Sequence, residues 1–265
     1  MRTFASLAGV VVLVTATCVQ SQAPATGARV LHPWQAPMPA GTAEAYFTNL
    51  KSGDSIETPF VLKFGLSGGW GLAPIAKPLG GKSGHHHLLV NRDLPLDFKA
   101  ALPFNEQYIH FGKGQMETVL TLAPGTYTLR MLLADDKHLP HFVYSKPLRV
   151  TVTKKNPTDP KTLVAKGIAI QVTGAEVKTP FRVQFHASGL NVAHAVQQEK
   201  DTGHFKLTVA SKAGAVAEMD FAEGQTETWL APPPGDYTLK LEFMDNLNPK
   251  QALVGAVTTA VRVQP

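Results

Sequence analysis

The sequence predicts an all-β protein built from two tandem Ig-like β-sandwich domains. Glycine and proline are frequent, at 22 and 20 of 265 residues, and they recur between short apolar or alternating runs. Hydrophobic residues make up 44% of the chain and charged residues 17%, so a substantial core can form. Many short strands separated by turn residues are typical of sandwiches rather than of helical proteins.

An internal repeat indicates two domains rather than one. The Thr-Pro-Phe motif and the strand-like run at residues 58–64 recur at residues 179–185. Three further pairs of segments match in the same order: 83–90 with 202–209, 114–118 with 224–228, and 124–129 with 234–239. Each copy spans about 100 residues, an ordinary domain size. We therefore predict domains at residues 44–153 and 164–265, joined by a polar linker at 154–163, and we expect each to fold alone.

Short apolar or alternating runs predict the strands of the first copy. Pro-Gly and Gly-rich turns separate these runs at the intervals typical of a sandwich. The runs lie at residues 61–64, 88–90, 118–122, 127–133 and 148–152.

The N-terminus predicts export. Residues 1–25 have the features of a secretory signal: Arg2, an apolar core at residues 7–14, and Ala-Pro-Ala at 23–25 as a cleavage site. Cys18, the only cysteine, offers an alternative lipid anchor, although the residues before it fit a lipobox poorly. The apolar stretch is too short to predict a membrane span. We expect a periplasmic or secreted protein, either soluble or attached at Cys18.

Charge and cysteine content exclude several classes of function. The net charge is +5 and no basic run exceeds two residues, so we expect no nucleic-acid partner. The two domains contain no cysteine, which excludes disulfides and thiolate metal sites.

A glycine-rich segment at residues 67–84 carries two misleading motifs. Residues 65–69 match G-x-S-x-G and residues 76–83 approach a Walker A loop, but neither leads into a helix. We interpret the segment as a long loop that leads to the histidines described below. Trp70 in this loop, together with Trp34, forms either an apolar wall for a ligand or a cap on the core.

Four segments of the first copy share a pattern with a known family. They are residues 45–54, 84–89, 109–115 and 138–141. In combination they resemble the bacterial domain-of-unknown-function family DUF4399, over residues 44–153. The resemblance implies an exported domain of the cell envelope and implies no mechanism. The second copy departs from the pattern at most of the histidines, so we do not expect a shared activity there.

Six of the ten histidines lie between positions 85 and 141, and the repeat predicts which way they point. In the second copy, Phe205, Leu207 and Val209 alternate on what must be the buried face of a strand. The same register places His86, Leu88 and Val90 of the first copy in the core. It therefore turns the two neighbouring histidines of this strand, His85 and His87, to the other face.

His110 is predicted to face the same way as His85 and His87. Its neighbours Ile109 and Phe111 match the apolar Met219 and Phe221, and His110 itself matches Asp220. His138 and His141 follow the strand ending near residue 133, in a loop that can close over this face.

Converging imidazoles predict a metal site in the first copy. Neutral imidazoles are the donors that Cu(II), Zn(II) and Ni(II) sites use, and copper has the highest affinity. The predicted cofactor is copper or zinc, with affinity falling as the pH drops through about 6.5 because the ligands must be deprotonated. The predicted ligands are His85, His87, His110, His138 and His141.

Structural roles remain alternatives for the same histidines. His86 fits a core residue better than a ligand, and His85 with His87 also fits an exposed polar strand face. Three functions follow: a non-enzymatic metal-binding protein, an envelope module that binds a glycan or a protein partner through the Trp70 loop, and a metalloenzyme. The third is the least favoured, because only Asp135 and Asp136 lie near enough in sequence to act as a base.

Overall fold

A computed structural model describes residues 32–41, 43–95 and 97–265. The predicted signal sequence and Cys18 lie outside these ranges. Across the described residues, no helix is both long enough and apolar enough to cross a membrane.

The first repeat forms a sandwich of a three-stranded and a seven-stranded sheet. The small sheet has the order β1-β3-β7, and the large sheet has the order β2-β10-β8-β5-β4 with β6 on β5 and β9 on β8. Alternating buried residues such as Leu62, Leu88 and Met131 meet in the core between them. The strands are β1 (Ala45–Phe47), β2 (Ser55–Thr58), β3 (Phe60–Leu66), β4 (Gly71–Leu72), β5 (Ser83–Val90), β6 (Tyr108–Phe111), β7 (Glu117–Leu120), β8 (Gly125–Ala134), β9 (Pro140–Tyr144) and β10 (Leu148–Lys155).

The second repeat forms the same kind of sandwich. Its small sheet has the order β11-β13-β17, and its six-stranded sheet has the order β12-β19-β18-β15-β14 with β16 on β15. The strands are β11 (Gly167–Val172), β12 (Glu176–Val177), β13 (Phe181–Ser188), β14 (Asn191–Val192), β15 (Thr202–Ser211), β16 (Val216–Asp220), β17 (Glu227–Leu230), β18 (Gly235–Asp245) and β19 (Val257–Val263).

The two repeats differ in the strands and connections of the large sheet. The first repeat has the additional strand β9. The connection from β5 to β6 spans residues 91–107, whereas the matching connection in the second repeat spans only residues 212–215. The connection carries Phe104, which packs on His110 and His138, and β9 carries His141.

The structure confirms the all-β tandem-sandwich prediction and refines the junction between the repeats. β10 extends through Lys155, so the strand includes the first residues of the predicted linker. The linker also contains a 3-10 turn at Pro160–Thr162, capped by the Asp159 side chain. Independent folding of each repeat stays a prediction.

Trp34 caps the second sandwich. The segment around it adds to the edge of β17, since the Trp34 carbonyl accepts a hydrogen bond from the Ala231 amide at 2.8 Å. The indole packs edge-on against Tyr237 at 5.6 Å between ring centroids. Of the two roles predicted for Trp34, the structure selects the cap.

The glycine-rich segment is tied to strands at both ends. Ser67 is buried, and its hydroxyl exchanges hydrogen bonds with the backbone of Glu44 at 3.0 and 3.2 Å. The short strand β4 runs parallel to the start of β5, pairing Gly71 with Ser83 and Leu72 with Gly84. The serine therefore lies in a turn between strands, as the rejection of the hydrolase motif predicted.

Candidate metal centre

Strand β5 is buried along both of its faces. Its inner face, with Leu88 and Val90, packs in the sandwich core. Its outer face, with Leu89, packs against Leu102 and Leu132 in a second, smaller apolar cluster. The connection 91–107 supplies this cover in the first repeat, whereas the matching outer-face residues Lys206 and Thr208 of the second repeat are only partly buried.

The register predicted from the repeat is confirmed. His86 pairs with Phe111 across β5 and β6, and His87 pairs with His110. Directly paired residues lie on the same face of a sheet, so His87 and His110 are neighbours. His85 lies two residues from His87 on that face. The alternative of an exposed strand face is wrong, because His85 and His87 are 0% and 1% exposed.

His138 reaches this face from a tight turn between β8 and β9. Its backbone has a φ of 62°, a conformation that costs a non-glycine residue about 1 kcal/mol or more. The turn is held by Asp135, whose carboxylate accepts hydrogen bonds from the Lys137 and Leu139 amides at 2.9 and 2.8 Å. The His138 carbonyl also accepts from the Leu102 amide at 2.9 Å. Asp135 thus shapes the turn that presents His138.

Three of the predicted ligands converge closely. Candidate ligand atoms of His85, His87 and His138 all lie within 4.8 Å of one another. The Nε2 atoms of His85 and His87 are 2.8 Å apart. Two metal–nitrogen bonds of 2.0–2.1 Å at 90–110° place their nitrogens about 3 Å apart. The spacing of these two rings therefore matches two ligands of one ion.

His110 lies beside this triad, whereas His141 lies in strand β9 and not in the loop that the sequence predicted. The His110 ring centroid is 5.7 Å from that of His85, 5.8 Å from His87 and 5.4 Å from His138. His141 packs on Trp70 at 4.7 Å between ring centroids, outside the close group. The geometry gives three central imidazoles, a fourth at their edge, and a fifth held by the Trp70 loop.

Burial keeps His85 and His87 neutral. It lowers the pKa of His85 to about 3, with His138 and His110 adding like-charge repulsion. It lowers the pKa of His87 to about 2, reinforced by His85. Burial also lowers the pKa of His110 and of His141. For His85 and His87, the lowered pKa moves the expected loss of the ligand form to a more acidic range than pH 6.5.

Several ring nitrogens in this group are buried and lack hydrogen-bond partners within the described residues. Unpaired buried polar atoms are costly, typically by about 1–3 kcal/mol each. A bound cation satisfies only nitrogens that face it, so a cation held by Nε2 of His85 and His87 leaves the Nδ1 atoms of these two rings unpaired. The atoms are Nδ1 of His85 and His87, and Nε2 of His110, His138 and His141.

His86 belongs to the core, as the register predicts. It is fully buried and packs edge-on against Phe64 at 5.0 Å between ring centroids. Burial lowers its pKa to about 3. Met116 and Met131 are also core residues and are buried with the apolar cluster.

Phe104 is a site residue that sequence analysis missed. Its ring packs edge-on against His138 at 4.4 Å and against His110 at 5.0 Å, and its side chain is 67% exposed. It lies in the connection 91–107, which is long in the first repeat and short in the second. This difference in length between the two repeats is the feature of the sequence that could have indicated an additional site residue here.

In the second repeat, charged residues replace the cluster. His204 matches His85, and its Nε2 lies 3.2 Å from Asp220, while its Nδ1 lies 2.6 Å from the Asn246 side-chain oxygen. Burial opposes protonation of His204, but these two partners outweigh it and raise its pKa. Lys206 matches His87 and pairs with Glu218 at 2.9 Å. Among the residues that the structure describes, the second repeat thus provides no comparable group of histidines.

The fold and the site define a tandem β-sandwich protein with one buried histidine cluster. The family described as Domain of unknown function (DUF4399) matches residues 62–153 and 183–264. The chain belongs to this family, and the match includes the second repeat as well as the first.

Known structures and proteins add little to this assignment. The chain is similar to the fibronectin(III)-like modules of Clostridium thermocellum CbhA, with a TM-score of 0.24, 10% identity, and coverage of 83% of this chain and 92% of that one. It is also similar to a two-domain fibronectin type III segment of chicken tenascin, with a TM-score of 0.22, 11% identity, and coverage of 83% and 98%. No curated protein matches the chain.

Proposed function

We propose that this protein is an exported, non-enzymatic metal-binding protein that holds copper or zinc at the histidine cluster of its first repeat. The observation that carries the proposal is the convergence of His85, His87 and His138 within 4.8 Å. His110 supplies a fourth imidazole at the edge. Burial keeps His85 and His87 in the neutral form that binds metal.

The donor set favours borderline transition metals. Imidazole suits Cu(II), Zn(II) and Ni(II), and copper has the highest intrinsic affinity among them. The close group contains no carboxylate, and the nearby Asp135 carboxylate is engaged by two backbone amides. General acid–base catalysis needs a proton-transferring group within reach of the substrate, and the close group offers only imidazoles that serve here as ligands, which favours binding and carriage over catalysis.

Metal analysis and titration of the full-length protein, purified without a His tag, test this function. We expect one tightly bound Cu(II) or Zn(II) per chain, with competition between the two metals for one site. A protein that is folded but binds neither metal would contradict the proposal.

Phe104 is predicted to control how fast the metal exchanges. Its exposed ring covers the half-buried His110 and His138, whereas His85 and His87 lie beneath them. Phe104→Ala removes this cover without removing a ligand. We expect metal release to a chelator to accelerate about tenfold, while the metal content at saturation stays unchanged, and stopped-flow chelation measures the rate.

The control is Phe142→Ala. Phe142 is also exposed, at 76%, but among the residues that the structure describes its ring stacks on Phe98 and not on a histidine. Its replacement is expected to leave the release rate unchanged. Equal acceleration in both variants would show that Phe104 has no specific role.

The exposed aromatic side chains favour one alternative function, a module that binds an envelope protein or a glycan. Phe142 and Phe104 offer an apolar surface near the site. Trp70 is a weaker candidate for docking, since its indole packs on His141 and against the core. Absence of metal binding, with tight binding to an envelope partner that Phe142→Ala removes, would support this alternative.

A further inference from the structure

The two repeats pack against each other through contacts that repeat the same pattern in both directions. The Leu72 amide donates to the Gly224 carbonyl at 2.9 Å, and the Val192 amide donates to the Gly114 carbonyl at 2.9 Å. Leu72 matches Val192 in the repeat, and Gly224 matches Gly114. The interface therefore has an approximate twofold symmetry, like that of a homodimer formed within one chain.

A second pair of contacts follows the same symmetry. The Gly68 amide donates to Glu227 at 3.1 Å, and the Gly189 amide donates to Glu117 at 3.1 Å. Both carboxylates are well buried. Glu227 pairs with Arg182, whose Nε donates to it at 2.6 Å. Buried, charge-assisted contacts of this kind hold a fixed geometry.

One half of this symmetric interface lies directly against the histidine site. β4, which carries Leu72, lies between the Gly224 turn of the second repeat and the first residues of β5. The Ala73 amide donates to the Gly84 carbonyl at 2.9 Å, immediately before His85. Trp70, which immediately precedes β4, packs on His141. The other half of the interface contacts β14 of the second repeat, where the cluster is absent.

We infer that the second repeat, which has no histidine cluster of its own, is a positioning element for the site in the first repeat. The Gly224 turn and Glu227 fix the Trp70 loop and β4, and these fix the start of β5 and the ring of His141. This inference rests on the proposed metal-binding function, because its first test measures metal affinity.

The test is Gly224→Ala in the full-length chain. Gly224 has a φ of 79°, and an added Cβ would meet the backbone of Leu72, so the turn must shift away from β4. Gly214→Ala is the matched control, since Gly214 has a φ of 96° but open space around it. We expect Gly224→Ala to weaken metal affinity about tenfold, equivalent to about 1.4 kcal/mol, with no change in the control. Wild-type affinity in a folded Gly224→Ala protein would overturn the inference.

A second pair of variants uses the symmetry and covers a failure of Gly224→Ala to fold. Glu227→Ala releases Gly68 beside the Trp70 loop, and Glu117→Ala releases the matching Gly189 in the second repeat. We expect the first to weaken metal binding and the second to have a much smaller effect. Equal losses in both variants would contradict a directed positioning role.

Amide hydrogen exchange of the metal-free protein separates this inference from the proposed function. Gly224→Ala and Glu227→Ala should speed exchange at residues 83–87, and Gly214→Ala should not. If the wild-type protein binds no Cu(II) or Zn(II), the proposed function fails, and the exchange rates still decide the positioning role. Unchanged exchange at residues 83–87 in both variants would reject it.

Discussion

Replacing His85 and His87 together with alanine is expected to abolish metal binding while the protein stays folded. These two rings supply the closest pair of ligand atoms, with their Nε2 atoms 2.8 Å apart. Removing one residue that hydrogen-bonds to a metal ligand typically weakens metal affinity about 10–100-fold. Removing two of the ligands themselves should therefore weaken the affinity by more than about 100-fold. Calorimetric titration with Cu(II) and with Zn(II), alongside circular dichroism, measures both outcomes.

His204→Ala is the matched control for this prediction. His204 occupies the position of His85 in the second repeat, but its ring pairs with Asp220 and Asn246. Its replacement should leave metal affinity unchanged. Equal losses of metal affinity in the two variants, or unchanged metal binding in the His85/His87 double variant, would show that the histidine cluster is not the metal site.

Acidification is expected to destabilise the metal-free protein well above the range in which carboxylates titrate. Burial lowers the pKa of His85 and His86 to about 3 and that of His87 to about 2, against an ordinary value near 6.5. Below pH 6.5 the unfolded chain binds protons at these positions and the folded chain does not. Stability is therefore complete above pH 6.5 and falls as the pH drops toward 3.

The expected slope is large because three histidines act together. Each contributes about 1.4 kcal/mol per pH unit below 6.5, or about 4 kcal/mol per unit for the three. Urea unfolding of the metal-free protein between pH 5 and 8 measures the slope. A free energy of unfolding that stays constant over this range would contradict the neutral, buried state of these rings.

His86→Phe tests the contribution of a single histidine to this pH dependence. The second repeat has Phe205 at the matching core position, so a phenyl ring suits this environment. The substitution should remove about one third of the pH dependence and leave metal binding intact, because His86 lies on the opposite face of β5 from the cluster. His86→Ala should instead lower stability at every pH by opening a cavity beside Phe64.

The sequence by itself predicted the repeats, the β-sandwich class and the direction of each histidine on its strand. The alternation of Phe205, Leu207 and Val209 was sufficient to orient His85, His86 and His87, because side chains on a strand alternate with a period of two. This inference is local and needs no knowledge of what covers the sheet.

The tertiary structure alone decided what lies over the outer face of β5. Leu102 of the connection between β5 and β6 packs there against Leu89 and Leu132, and no local pattern specifies such contacts between distant residues. This burial is what lowers the pKa of His85 and His87. Long-range packing likewise brought Phe104 over His110 and His138.

The same distinction explains the two tryptophans. Their sequence context allowed either a ligand wall or a core cap, since an aromatic side chain in a loop can turn either way. Packing placed Trp34 on Tyr237 of the second sandwich and Trp70 on His141 of the first. Strand periodicity thus determined the orientation of the histidines, and contacts between distant segments determined which of them meet and how far water is excluded from them.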